Sequence, residues 1–321
     1  MAPRAFIHHA DHVQEAVSSG AAARSALVAS WRRSSKLHHL DPARHDRPRR
    51  LSNAELARAR ERMGPLIAAA QASLDRLFLA VGGIGCCVLL ADHDGVPVDR
   101  RGASADDRTF EDWGLWTGAI WSEESEGTNG IGTCLIEKRT LTIHRDQHFF
   151  TRNTLLSCTT APIFDHEGEL AGALDVSSCR ADLTGGLVDL ITVAVSDAAR
   201  RIEAENFRQS FPKARILIPS TSEQVAGALV AVDNDDLVIG ATHSARLALG
   251  LTPERLSRPL PVSELLDLPE GPAALAEAER GVLHRALLRA GGNVTHAARL
   301  LGVSRATLHR KLKRLGIERF H

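Results

Sequence analysis

The sequence predicts an α+β protein with an antiparallel sheet, followed by a small all-α domain. Apolar runs of four to eight residues, separated by short turns, predict strands in the middle of the chain. Helical patterns flank these strands on both sides, an arrangement typical of an α+β fold. The last forty or so residues have helical spacing interrupted by glycine. A chain of 321 residues has room for two or three such domains.

Residues 1–70 predict a polar, helical N-terminal segment. A helix is expected over residues 21–36, and a second begins after Ser52, where Glu55 completes a capping box. His8 and His12 stand one helical turn apart, but no cysteine or carboxylate set accompanies them at ligand spacing. We therefore predict no metal site and no cofactor.

Two β-hairpins, one further strand and two helices account for the central region. Each hairpin is an apolar run, a short polar turn ending in glycine, and a returning strand. The strands are expected at residues 86–91, 96–99, 140–144, 158–164 and 170–176, and the helices at residues 74–81 and 184–208.

A shorter strand–turn–strand–helix unit follows the sheet region. Residues 228–241 read as two strands around an acidic turn, and a helix over residues 242–249 should end at Gly250. A linker rich in proline then runs to about residue 272, since proline favours extended chain.

The C-terminal residues predict a helix-turn-helix preceded by a long amphipathic helix. Residues 273–290 form that helix, and its apolar stripe comprises Leu275, Ala278, Val282, Leu283, Ala286 and Leu287. Asn293 is expected to cap the helix over residues 295–301, which buries Ala297, Ala298 and Leu301. Gly302 supplies the turn, and Ser304 caps the last helix, residues 305–315, which buries Leu308, Leu312 and Leu315.

The last helix carries a basic face, which is typical of contact with double-stranded DNA. Residues 279–321 contain ten Lys or Arg and two Glu, a net charge of +8, whereas the whole chain has a formal net charge of zero. The candidates for base edges are Arg305, Thr307, His309 and Arg310. Capping and phosphate contacts are expected from Asn293, Thr295, Ser304, Lys311, Lys313 and Arg314.

A recognition helix of this length favours a homodimer. Eleven residues span about 16 Å, half a DNA turn, so one unit rarely holds a site alone. We expect two copies on an inverted repeat whose half-sites lie about one turn apart.

The middle of the chain resembles a known sensor. Its motifs are Gly-Leu-Trp at 114–116, Trp-Ser-Glu at 121–123, Glu-Gly-Thr-Asn-Gly-Ile-Gly-Thr-Cys-Leu at 126–135 and His-Arg-Asp-Gln-His-Phe at 144–149. They are similar to the GAF domain of the acetoin catabolism regulator family, which belongs to the bacterial enhancer-binding proteins that work with sigma-54 RNA polymerase. The C-terminal helix-turn-helix is similar to their Fis-type domain, and the connector looks like the opening of a PAS-type module.

The resemblance implies four segments. They are an N-terminal helical segment at 1–70, a GAF-like sensor at 71–210, a PAS-like connector with linker at 211–272 and a Fis-type DNA-binding domain at 273–321. That family places an ATPase domain of more than 200 residues between sensor and DNA-binding domain, where this chain has about 65 residues. A phosphate-binding loop needs lysine directly after glycine. All five lysines follow Ser, Glu, Pro, Arg or Leu, so no such loop exists.

The sensor is expected to bind a small neutral effector, and the resemblance implies acetoin or a related carbonyl or alcohol. The candidate pocket residues are Trp116, Trp121, Thr133, Cys134, His144 and Cys158. Two alternatives stay open: a regulator that senses redox state or metal through cysteines, and a methionine sulfoxide reductase that uses Cys134 as nucleophile. The five cysteines do not form a disulfide framework.

We predict a cytoplasmic transcription regulator that is not an enzyme. No signal peptide and no run of eighteen apolar residues indicates a membrane partner. Without the ATPase it would repress, compete at enhancer sites or contact RNA polymerase directly.

Overall fold

The computed structural model describes residues 3–19, 21–180, 182–219, 226–266 and 272–317. The chain divides into two compact units. The first comprises residues 1–234 and 238–257, and the second comprises residues 235–237 and 258–321. Each unit is described by itself.

The N-terminal segment of the first unit is helical, as predicted. The capping box of Ser52 and Glu55 is confirmed at the start of the third helix. The helix expected over residues 21–36 is broken, because a 3-10 turn precedes it and a π turn, Arg33–Leu37, follows it. The helices are α1 (Pro3–Ser18), α2 (Ala26–Arg32), α3 (Asn53–Arg62) and α4 (Gly64–Val81).

A five-stranded antiparallel sheet in the order β2-β1-β5-β4-β3 forms the centre of this unit. Both predicted hairpins, β1–β2 and β4–β5, are confirmed. The elements are β1 (Cys86–Asp92), β2 (Pro97–Arg101), α5 (Asp107–Asp112), α6 (Glu123–Glu126), α7 (Gly130–Glu137), β3 (Leu141–His144), β4 (Ser157–Phe164), β5 (Leu170–Ser178) and α8 (Gly185–Ser210).

Strand β1 shows how the sheet divides the core. All seven of its residues are buried, as its unbroken apolar run predicts. Val88 and Leu90 pack with α4 and α8 on one face. Leu89 and Ala91 pack on the other face with α7 and the loop that contains Trp121. Successive side chains of a strand point to opposite faces, so one strand supports both halves of the core.

Helix α4 begins about ten residues before its predicted start. Together with the turn that follows it, residues 64–84 form the one helical stretch of the described chain that length and composition alone would allow to cross a membrane. Its Leu66, Ala70, Leu74 and Leu77 are buried against the sheet, as in a core helix.

The connector adds a second, three-stranded sheet to the first unit. Its hairpin and its helix were predicted, but the third strand, β6, was not, because three residues are too short to show a periodicity. The elements are β6 (Arg215–Leu217), β7 (Val230–Val232), β8 (Val238–Ala241), α9 (His243–Leu249) and α10 (Pro253–Leu256), with sheet order β6-β7-β8.

The second unit contains the three helices predicted for the C-terminal domain. Its apolar stripe on α12 was predicted partly wrongly: Ala278 is exposed and Val282 is 45 % exposed. Leu283, Ala286 and Leu287 of the predicted stripe are buried, because this face of the helix packs in the core with the two helices that follow. The prediction for Leu275 concerns a side chain that lies outside those that the structure describes. The helices are α11 (Ser263–Leu266), α12 (Pro272–Arg289), α13 (Val294–Leu300) and α14 (Arg305–Arg314).

A buried carboxylate lies inside the sheet. Asp175 on β5 is fully buried, and its two oxygens accept hydrogen bonds of 2.6 Å from the hydroxyls of Thr160 and Ser177. Burial is the main cause that raises the pKa of Asp175 to about 6, and the two hydrogen bonds oppose it. The folded chain therefore binds the proton of this carboxyl more tightly than the unfolded chain does.

We expect Asp175→Asn to stabilise the protein increasingly as pH rises. Below about pH 4 the carboxyl is protonated in both states, and above about pH 6 the native chain carries the cost of ionising it, about 3 kcal/mol from the difference between the two pKa values. Amide and hydroxyl groups can still pair in the variant. The measurement is the free energy of unfolding in urea between pH 4 and pH 8, for variant and wild type.

The exposed Asp189 provides the control. Asp189→Asn should change the stability by the same small amount at every pH. A difference between Asp175→Asn and wild type that did not grow with pH would contradict the assignment.

Candidate functional site

The C-terminal helices form a helix-turn-helix, and a side chain caps the start of each of its two helices. The Asn293 side chain accepts from the His296 amide at 3.0 Å, and the Ser304 hydroxyl accepts from the Thr307 amide at 3.0 Å. Both predicted N-caps are therefore confirmed. Gly302 between the helices has φ of +65° with open space around it, so the turn needs glycine for its backbone angle.

A compact core holds the recognition helix α14 against its neighbours. Leu308 and Leu312 are buried, as the sequence predicts, whereas Leu315, which was also predicted to be buried, is only partly buried at the edge of this core. Ala297 and Ala298 on α13 are buried beneath them. Burying the apolar side of α14 leaves its polar side on the surface, where Arg305, Arg310 and Lys313 are exposed.

The ten predicted DNA-contacting residues divide into distinct environments. The side chains of Asn293 and Ser304 are engaged in capping, and the Thr307 hydroxyl lies 2.9 Å from the Ser304 hydroxyl, within hydrogen-bonding distance. Lys311 and Arg314 pair with a carboxylate. Thr295 is exposed, and His309 is partly exposed. In the part of the chain that the structure describes, Arg305, Arg310 and Lys313 have no ion-pair partner.

The carboxylate that pairs with the basic face is Glu279 on α12. Its two oxygens contact the Lys311 ammonium and the Arg314 guanidinium, and the hydrogen bond from Lys311 is the main cause that lowers the pKa of Glu279. Sequence reasoning missed this residue, since 32 residues separate it from Lys311 and the helix packing brings them together. Two of the predicted phosphate contacts are therefore engaged by Glu279 in this structure.

The N-terminal segment is fastened to the sensor by buried polar contacts. The Arg33 guanidinium reaches both oxygens of Glu123, at 2.7 and 3.1 Å, and Glu123 is only 2 % exposed. The Ser30 hydroxyl donates to Glu123 at 3.0 Å. The Trp31 indole N–H donates to the Gln147 carbonyl at 2.9 Å. A buried carboxylate needs such partners, so these bonds fix α2 over the sensor.

A cavity of about 170 Å³, the effector cavity, lies where α2 meets the sensor. Its apolar wall includes Leu27, Leu141 and Ile143. Its polar wall carries hydroxyls and an amide, and at its edge the carboxylate of Glu137 bonds to Arg139. Those hydroxyls and the amide belong to Ser30, Thr128, Thr133, Thr142 and Gln147. Polar groups make up the larger part of this lining, and its hydroxyls and amide could hydrogen-bond a small polar molecule whose carbon atoms face Leu27, Leu141 and Ile143.

The six predicted pocket residues are not gathered in this cavity. Thr133 lines it. Trp121, Cys134 and Cys158 are buried in the core, where the Trp121 indole N–H donates to the Gly114 carbonyl at 2.8 Å. Trp116 is partly exposed beneath the Arg100 guanidinium, 4.1 Å from the ring centre. His144 Nδ1 lies 2.9 Å from the Ser157 hydroxyl.

Four of the five cysteines are buried, and none forms a disulfide. Burial raises the pKa of the Cys86 thiol to about 11 and that of Cys179 to about 12. It raises the pKa of Cys87, Cys134 and Cys158 as well. Thiols that stay protonated near neutral pH are poor nucleophiles and poor metal ligands. The described residues hold no group of three potential metal ligands.

Comparison with known protein families gives two matches. A family model described as "MimR, N-terminal domain" matches residues 9–203. A second, described as "Bacterial regulatory protein, Fis family", matches residues 274–315. Together they cover the N-terminal segment, the sensor and the helix-turn-helix, and they leave out the connector.

Similar curated proteins are regulators from several bacteria. The acetoin catabolism regulatory protein of Cupriavidus necator is 34 % identical over 73 % of this chain and 36 % of its own length. AcoR, the acetoin dehydrogenase operon transcriptional activator of Bacillus subtilis, is 27 % identical over 60 % of this chain and 32 % of its own. MimR, the propane 2-monooxygenase operon transcriptional activator of Mycolicibacterium smegmatis, is 31 % identical over 55 % of this chain and 31 % of its own length. The chain thus spans about a third of the length of these relatives.

A solved structure shares the fold. The crystal structure of the E. coli DhaR(N)–DhaL complex superposes with a TM-score of 0.53 at 19 % identity, and covers 82 % of this chain and 86 % of that chain.

We expect Glu279→Gln to strengthen binding to nonspecific DNA. The variant frees Lys311 and Arg314 for phosphates, and each added contact steepens the slope of log K against log salt by about 0.9. Fluorescence anisotropy with a random duplex at several salt concentrations measures both affinity and slope. Glu277→Gln, an exposed change two residues away, is the charge-matched control. Equal slopes for the two variants would show that Glu279 does not compete with DNA.

Proposed function

This chain belongs to the family of regulators that share the MimR N-terminal domain, and from this membership we propose that it is a DNA-binding transcriptional regulator controlled by a small molecule. The observation that carries the proposal is the closed helix-turn-helix with Arg305, Arg310 and Lys313 on its outer face. We infer that the chain acts without catalysing a reaction, in the cytoplasm, where its DNA lies.

We also propose that the protein acts without hydrolysing ATP. No lysine of the 321 residues follows a glycine, so the phosphate-binding loop of an ATPase is missing from the sequence. DNA binding by the recognition helices would then itself produce the regulatory effect. They would repress, compete at enhancer sites, or contact RNA polymerase.

A homodimer is part of this proposal. One recognition helix covers about half a DNA turn, so two copies on an inverted repeat are needed for a site of useful length. Exposed apolar side chains on α12, Val282 and Leu288, support a contact between copies.

We place the effector in the effector cavity, because it combines the size and the lining that a small uncharged molecule requires. The name of the C. necator relative refers to acetoin, a small hydroxy ketone, which makes such compounds the first to test. The ligand would bind between α2 and the sensor, so its affinity would depend on how closely α2 is docked. It can shift the protein between states only through different affinities for them.

The cysteine-based alternative has less support. Five protonated thiols, four of them buried, are poorly placed to react with oxidants or to bind a metal. The same burial disfavours Cys134 as the nucleophile of a methionine sulfoxide reductase.

Arg310→Ala should weaken binding to the operator by about 1–3 kcal/mol and reduce discrimination between operator and random DNA, if Arg310 reads a base. Lys313→Ala should weaken binding to both DNAs equally and lower the salt slope by about 1, as loss of a phosphate contact does. The operator is first located by footprinting the promoter region of the protein's own gene. Equal effects of the two variants on specificity would refute the base-reading role of Arg310.

Ala26→Phe should abolish the response to the effector while leaving the fold intact. Ala26 is exposed at the first turn of α2 and borders the effector cavity, so a large ring there fills space without disturbing the core. Acetoin binding is measured by calorimetry. We expect the variant to lose at least about tenfold in affinity, or 1.4 kcal/mol.

Ala23→Phe is the matched control, since Ala23 is also exposed but does not line the effector cavity. Unchanged binding in Ala26→Phe would remove the cavity as the effector site. No binding of acetoin or related hydroxy and carbonyl compounds to the wild-type chain would remove the proposed effector class.

A further inference from the structure

The connector is docked on the sensor through the β4–β5 turn. The imidazole ring of His243 on α9 stacks on Phe164, with ring centres 3.6 Å apart and planes within 2°. Its Nδ1 lies 3.1 Å from the Gly168 carbonyl oxygen. Gly168 has φ of +77°, so this turn needs glycine for its backbone angle, and the Arg246 side chain of the connector packs beside it. The contact links the central hairpin of the sensor sheet to the chain that leads to the DNA-binding helices.

A second cavity, the seam cavity, lies beside this contact. It measures about 440 Å³ and is enclosed by β4, α8 and the start of α9. Hydroxyls of Thr140, Ser196 and Ser244 line one part of it, and Pro162 and Phe164 line the apolar part. None of its lining residues belongs to the effector cavity.

A carboxylate without a counter-ion faces the seam cavity. Glu203 on α8 is partly buried, and its Oε1 accepts the Phe164 amide at 2.9 Å. No cation among the described residues lies within ion-pair distance of Glu203. Burial is the main cause that raises the pKa of this carboxyl to about 7. Above about pH 7 the site therefore holds a negative charge that no ion pair neutralises and that the Coulombic attraction of Arg200 offsets only in part.

The cationic groups near Glu203 do not fill this role. Arg200 also lines the cavity and lowers the pKa of Glu203 through its charge, but its side chain is 41 % exposed and lies 4.0 Å from Asp197, so water and that carboxylate weaken this effect. His243 lines the cavity as well, but its ring stacks on Phe164 and its Nδ1 lies within hydrogen-bonding distance of the Gly168 carbonyl oxygen. An anion would meet the uncompensated Glu203, whereas a cation would balance it.

We propose that the seam cavity is a second small-molecule site, which binds a small organic ammonium compound between Glu203 and the apolar wall formed by Pro162 and Phe164. The ammonium group donates to Glu203 and to the surrounding hydroxyls, and the alkyl part covers the apolar wall. A ligand there contacts sensor and connector together, so it stabilises their docking.

The test uses the full chain and three probes of equal size that differ in charge: n-propylammonium chloride, 1-propanol and sodium propionate. Calorimetry and thermal unfolding at matched ionic strength measure binding. We expect saturable binding of n-propylammonium alone. Glu203→Gln should weaken it by at least about tenfold, and Glu205→Gln, an exposed change on the same helix, should leave it unchanged.

Two further results separate the site from a general loss of structure. Glu203→Gln should melt no lower than the wild type without ligand, because it removes an unbalanced charge. Ser244→Phe should block binding by filling the cavity while Glu203 stays in place. The proposal is overturned if n-propylammonium does not bind, if it binds Glu203→Gln as well as the wild type, or if propionate binds better. Acetoin binding is a separate readout, so the effector proposal stands or fails independently.

Discussion

The burial of Glu123 is the constraint on which the arrangement of the first unit depends. A carboxylate that is 2 % exposed has lost nearly all its water, and removing its partner would leave a charge in a poorly polarisable interior. Arg33 satisfies both oxygens, and Arg33 belongs to the N-terminal segment. The ion pair of Arg33 and Glu123 therefore holds the segment on the sensor, and it forms only when the two surfaces are in contact. The effector cavity exists because α2 is held there.

The central hairpin β4–β5 connects this region to the connector. Near one end, Thr160, Asp175 and Ser177 form a buried polar network beneath the first turn of α7. At the other end, Phe164 at the end of β4 and Gly168 in the turn contact α9. Packed cores respond to small shifts by changing between discrete arrangements. A ligand that alters the docking of α2 can thus bias the connector through one rigid hairpin.

Local signals in the sequence predicted most of the fold. The caps at Asn293 and Ser304, the turn at Gly302 and the unbroken apolar run of β1 each follow from a few neighbouring residues. Features that depend on residues distant in the sequence were not predicted. Strand β6 forms by pairing with β7, and the salt bridges of Glu123 and Glu279 join residues 90 and 32 positions apart. The motif residues Trp121, Cys134 and Cys158 were identified as pocket candidates, but the spacing of a motif cannot tell a cavity wall from the core beside it.

The environment of each basic side chain supports the proposal that two copies bind DNA together. With Lys311 and Arg314 paired to Glu279, each copy presents Arg305, Arg310 and Lys313 as cations without an ion-pair partner in the described chain. Of these three, only Lys313 is predicted to contact a phosphate, and even three phosphate contacts would give a salt slope of about −3, well short of the slopes of proteins that make 6–10 contacts. Two copies double both the contacts and the sequence that is read. The geometry of one recognition helix therefore favours the proposed regulator, whose output would depend on how the recognition helices of two copies are placed on DNA.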